Sequence, residues 1–151
     1  MATTVTSATL SVQIKEEITL NGTAYDQTIT KSITGVGNVS KRIFTIPASA
    51  SVTLATFIST VTDNEFDVED VKYIRVTNLD DTNVLLLTKA FSATSAATEL
   101  KATSSVVYFT PNGKGATSKA AITSTDDIET LFVHNPNAGE ALDCEVFIAT
   151  A

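Results

Sequence analysis

The stretch Val71 to Thr88 constrains the fold more than any other. Val71-Lys72-Tyr73-Ile74-Arg75-Val76-Thr77 and Val84-Leu85-Leu86-Leu87-Thr88 are runs of β-branched, aromatic and aliphatic residues, separated by the polar segment Asn78 to Asn83. Residues of this kind fit a pleated, half-buried surface, so the pattern predicts strand, turn and strand. Side chains alternate faces along a strand. Ile74 and Val76 therefore share one face, and Tyr73, Arg75 and Thr77 the other. The second run is apolar on both faces and belongs at the centre of a sheet, with the first expected beside it as a hairpin partner.

The rest of the chain repeats this grammar. A strand is expected over Leu10 to Leu20, with a bulge at Lys15-Glu16-Glu17. Asn21-Gly22 then forms a tight turn, because both residues accept positive φ. Further strands are expected over Tyr25 to Ile33, Lys41 to Ile46 ended by Pro47, and Val52 to Ser59, the last of these central. The acidic segment Asp63 to Asp70 reads as a connection anchored by Phe66 and Val68. Phe91 to Ala97 reads as a small-residue loop, Glu99 to Lys101 as a short edge strand and Ser105 to Thr110 as a strand. Pro111 to Ala120 is the expected long excursion. Asp126 to Glu129 is expected to form one helical turn, capped by Ser124 or Thr125. Leu131 to Val133 and Leu142 to Ile148 are strands on either side of the turn Asn135 to Gly139. The prediction is a single all-β domain over residues 1–151, an antiparallel β-sandwich of jelly-roll type with about 8–10 strands and minimal helix. Residues 1–8 are expected to form an extended N-terminal arm.

Charge and composition narrow the partners. Ten Lys plus Arg stand against 17 Asp plus Glu, a formal net charge of -7. Such a field repels phosphate backbones and anionic lipid surfaces, so neither nucleic acid nor membrane is an expected partner. Met1 to Thr6 has no basic and apolar leader pattern, and no run approaches the length of a membrane span, so a soluble protein is expected. The single cysteine, Cys144, alternates with Leu142, Val146 and Ile148 and reads as a small buried hydrophobe.

No arrangement of residues announces chemistry. His134 is the sole histidine, beside a turn, with no catalytic pattern around it. Asp80-Asp81, Asp126-Asp127 and the acidic segment lack the alternating spacing of a calcium loop and read as solvated turns. Gly35-Val36-Gly37 and Gly113-Lys114-Gly115 precede no periodic helix, as a phosphate loop must. No catalytic residue, metal ligand or cofactor is therefore expected. Lys114 and Lys119 make the late loop the most basic local patch and the candidate contact with an acidic partner subunit.

Glu16 to Gly22, Lys41 to Pro47, Val71 to Asn83 and Glu145 to Ala149 together resemble, in this order, small virion structural proteins of tailed marine bacteriophages. The resemblance is strongest in Val71 to Asn83 and weakest in Phe91 to Ile128. It implies a non-enzymatic building block located in the virion after synthesis in the host cytoplasm. The expected role is capsid decoration, or cement: binding the outer shell and stabilising contacts between major capsid subunits, as a homo-oligomer with a trimer favoured. A tail or fibre component is the alternative. A carbohydrate-binding sandwich is a third and weaker reading; it would require an aromatic platform on one face, for which the chain offers only Tyr25, Tyr73, Tyr108 and scattered Phe.

Overall fold

The structure, a computed structural model, describes residues 6–62, 65–91, 95–109 and 128–151. These form strands β1 (Ala8–Glu16), β2 (Thr19–Leu20), β3 (Thr23–Ala24), β4 (Gln27–Val36), β5 (Asn38–Ile46), β6 (Ser51–Ile58), β7 (Phe66–Asp67), β8 (Val71–Asn78), β9 (Leu85–Ala90), β10 (Ser95–Leu100), β11 (Ser105–Tyr108), β12 (Thr130–His134) and β13 (Leu142–Thr150), and no helix. A four-stranded sheet, β11-β8-β13-β5, faces a five-stranded sheet, β10-β9-β12-β6-β7. All pairings are antiparallel except the short β6–β7 contact. The chain is thus an all-β sandwich.

Alternation explains the core. Ile74 and Val76 of β8, Val146 and Ile148 of β13, and Ile46 of β5 meet Leu54 and Phe57 of β6, Leu85 and Leu87 of β9, and Leu131 and Val133 of β12 in one buried cluster. Cys144 joins it, as its spacing predicts; burial and the neighbouring Glu145 charge push its thiol up to about 12. This is the setting of a structural cysteine. Phe66 and Val68 pack against the same cluster and anchor the acidic connection.

Several expectations change. β8 and β9 are not a hairpin, since each belongs to a different sheet. Sheets pack about 10 Å apart, which the linker Leu79 to Val84 spans easily; a tight two-residue turn would have held the strands side by side. The face alternation within β8 is as read, and β9 is central, between β10 and β12. β6 has a full partner, β12, on one side and only the two-residue β7 on the other.

Phe91 to Ala97 is not all loop, because β10 begins at Ser95 and pairs with β9 at the sheet edge. Small side chains suit an exposed edge. Ile128 and Glu129 form no helical turn: Ile128 is buried, Phe57 N–H donates to Glu129 O, and Glu129 N–H donates to Ala90 O. Sheet bonding and core burial hold Ile128 and Glu129, while Asp126 and Asp127 lie outside the described residues. The cap residues Ser124 and Thr125, the excursion Pro111 to Ala120, and residues 1–5 of the expected arm lie outside the described residues; Ala8 already opens β1.

Candidate functional site: an overhanging hairpin above the outer sheet face

β1 and β4 form a separate two-stranded sheet, extended by β2 and β3 around Asn21 (φ 51°) and Gly22 (φ 79°). Positive φ at both central residues is the type I′ geometry that Asn-Gly predicts. The expected bulge at Lys15 to Glu17 is instead at the base, in β4. Ala8 pairs with Val36 and Leu10 with Ile33, so β4 holds an extra residue there, at Gly35 (φ 71°). This bulge puts Val36 on the same side as Ile33, and both are buried.

The register gives the hairpin two unlike faces. Leu10 pairs with Ile33, Val12 with Lys31, Ile14 with Ile29 and Glu16 with Gln27 on one face; Ser11 with Ser32, Gln13 with Thr30 and Lys15 with Thr28 on the other. Near the base, the apolar face packs on the outer side of the four-stranded sheet. Leu10, Val12, Ile33 and Val36 meet Tyr73, Val107, Phe147 and Ala149 there. Tyr73 meets Phe147 edge-on, centroids 5.9 Å apart at 75°. Desolvation pushes the Tyr73 hydroxyl pKa up.

Toward the tip, the apolar face is left exposed among the described residues. Ile14, Ile18, Leu20, Tyr25 and Ile29 are between 48% and 59% exposed, although they continue the pattern that is half-buried at Leu10 and buried at Ile33. The sequence reading treats Leu10 to Leu20 as one half-buried strand. The structure buries one end only.

Beside the hairpin lies an open groove of about 440 Å³, bounded by Leu10 to Ile14, Lys41, Tyr73, Arg75, Val107 and Phe147. Its floor carries an ion network that the sequence could not reveal, because its members come from three strands. Glu145 Oε2 is 3.0 Å from Lys41 Nζ, and Glu145 Oε1 accepts from Arg75 Nη2. Arg75 also lies over the Phe147 ring, 5.7 Å from its centroid. Two cations share one carboxylate, which leaves the groove positive. Next to it, Val39 and Ile43 of β5 stand exposed on the same sheet face. β5 pairs with β13 on one side only.

The hydrogen bond from Lys41, and then that from Arg75, hold the Glu145 carboxyl below its ordinary value despite the opposing effect of desolvation. Its proton affinity is therefore lower folded than unfolded. The stabilisation exists while Glu145 is ionised and is lost as the pH falls through the folded value. We expect the stability difference between wild type and Glu145→Gln, measured by urea unfolding, to be present at neutral pH and to shrink below about pH 4. A difference independent of pH would contradict this assignment.

The other candidates resolve into structure. Ser51 Oγ lies 3.1 Å from His134 Nδ1 because the two residues are register partners of β6 and β12. Among the described residues no carboxylate hydrogen-bonds the ring's other nitrogen, so this pair lacks the third member of a triad. Asp80 Oδ1 accepts from Asn83 N–H and Thr82 N–H, which hold its pKa down and form the turn between β8 and β9. Among the described residues no three His, Cys, Asp or Glu side chains converge as a metal site requires. Asp126-Asp127, Lys114 and Lys119 lie outside the described residues. Compared with models of known protein families, with curated proteins and with solved structures, the chain finds no match.

Proposed function

We propose that this chain is a non-enzymatic capsid decoration protein, which binds the outer shell of a tailed phage and stabilises contacts between neighbouring major capsid subunits, working as a homo-oligomer. The observation that carries the assembly part of this reading is the hairpin, whose apolar face extends past the body of its own protomer. Clusters of exposed apolar side chains mark contact surfaces in soluble proteins. The phage shell as partner comes from the sequence resemblance.

The strand order adds support. Counting β5, β6, β8, β9, β10, β11, β12 and β13 as eight, one sheet holds the first, eighth, third and sixth, and the other the second, seventh, fourth and fifth. We read this as a jelly roll, an architecture used by viral shell proteins and by lectins. The lectin alternative lacks its platform: Tyr73 is buried, Tyr108 is half-buried and Tyr25 alone of the tyrosines is exposed.

Immunogold electron microscopy of intact virions, with antibody against the recombinant protein, tests the reading. Even labelling of the heads is the expected result. Labelling confined to the tail would transfer the protein to the tail or fibre, and unlabelled particles would overturn the decoration role.

A further inference from the structure

We infer that the β1–β4 hairpin is a strap: it lifts from the outer sheet face as one unit, bending at Gly35, while the sandwich beneath stays folded. The device belongs to the isolated protomer and does not depend on the partner proposed above.

Strand pairing separates the hairpin from the body. β1 pairs only with β4, and neither joins the two sheets of the sandwich. Among the described residues no hydrogen bond or ion pair links residues 8–36 to the sandwich; Gly37 N–H, which donates to Thr150 O at 2.9 Å, lies just past β4. What holds the hairpin down is apolar contact, Leu10, Val12, Ile33 and Val36 against Tyr73, Val107, Phe147 and Ala149. Such contact is non-directional, so breaking it leaves no buried donor or acceptor unpaired. The seat is also narrow. Open grooves of about 440 Å³ and 340 Å³ flank it, one along β1 beside Lys41 and Phe147, the other along β4 beside Lys72 and Phe109.

The joint is a glycine bulge. Gly35 has φ 71°, which glycine adopts at little cost, and a Cβ added there would meet only Lys72 Cε, at 3.9 Å. The register breaks at the same level, between Ala8 and Leu10, so both strands can bend there. Two residues on, Gly37 is fixed, because a Cβ there would meet the Ala151 backbone at 2.8 Å. The bend therefore falls between a free glycine and a pinned one, and the part that moves is Leu10 to Thr34. Lifting uncovers Tyr73, which is 4% exposed with the hairpin down and packs edge-on against Phe109 and Phe147, centroids 5.9 Å from each.

Nitration of the full wild-type chain by tetranitromethane, mapped by mass spectrometry, reads the lifting directly. Tyr25 is 59% exposed and reports the unhindered rate. Urea unfolding of the same protein gives the fraction that is globally unfolded. Tyr73 should react at least about tenfold more slowly than Tyr25, yet at least about a hundredfold faster than global unfolding allows. Val12→Ala trims the seat and should speed Tyr73 about tenfold, with Tyr25 unchanged. Tyr73 modified only at the rate of global unfolding would mean that hairpin and sandwich open together. Tyr73 as fast as Tyr25 would mean that the strap never closes, and a rate indifferent to Val12→Ala would mean that reagent enters through the grooves. Each of these three results overturns the inference.

Discussion

Asn135→Asp is expected to lower the unfolding free energy by about 3 kcal/mol or more at neutral pH, although it replaces one turn-forming residue by another of the same shape. Asn135 is fully buried, immediately after β12. Its Nδ2 is 3.1 Å from Ile46 O, 3.3 Å from Pro47 O and 2.9 Å from Glu140 O, and its Oδ1 accepts from Asn137 N–H at 2.9 Å. One amide therefore ties the end of β5 to the turn between β12 and β13. Aspartate would aim an ionised oxygen at three carbonyl oxygens in a dry site. Asn135→Ala removes the donors without adding the charge and should be the milder change. The buried carboxyl would have a raised pKa, so the Asp variant should regain stability as the pH falls, when protonation returns a donor. Urea unfolding at neutral and acid pH measures both effects. A loss under about 1 kcal/mol for Asn135→Asp would mean that the clamp does not hold the turn.

The second large effect is expected from Leu131→Ala, paired with Ile18→Ala as its contrast. Leu131 is fully buried on β12, between β9 and β6, and faces the sheet opposite. Truncation there leaves a cavity in a close-packed interior and should cost about 2–5 kcal/mol. For a chain of this length, each kcal/mol lowers Tm by about 2–4 °C. Ile18 has a similar volume but stands exposed near the hairpin tip, and its truncation should stay within about 0.5 kcal/mol. Thermal melts of the two variants separate apolar residues that hold the domain together from those that do not. If Ile18→Ala is as damaging as Leu131→Ala, the distal hairpin is covered within its own protomer, and the contact surface described above does not exist.

Legibility from sequence followed the range of the interactions. The Asn21-Gly22 turn, the face alternation in β8, the buried Cys144 and the Phe66 and Val68 anchors depend on neighbours a few residues away, and each is as read. The wrong readings concern partners. Val71 to Asn78 and Leu85 to Ala90 are strands as expected, but a six-residue linker is compatible with a hairpin or a crossover, and nothing local chooses between them. Asn78 and Asn135 read as turn residues. Both are buried clamps: Asn78 Nδ2 donates to Asn83 O and Leu100 O.

The candidate surface was the least legible part. Ile14, Ile18 and Leu20 continue the spacing of Leu10 and Val12, so periodicity marks one apolar face from end to end. What the sequence determined by itself is the β class, the two-faced strands and the tight turn, because backbone sterics and side-chain alternation act within a strand. What only the tertiary structure decided is which part of each apolar face finds a floor. That outcome depends on the reach of linkers and on the order of strands across two sheets, which also set the Lys41, Arg75 and Glu145 network. The same alternation therefore yields packed positions at Leu10 and Ile33 and exposed ones at Ile14 and Ile29.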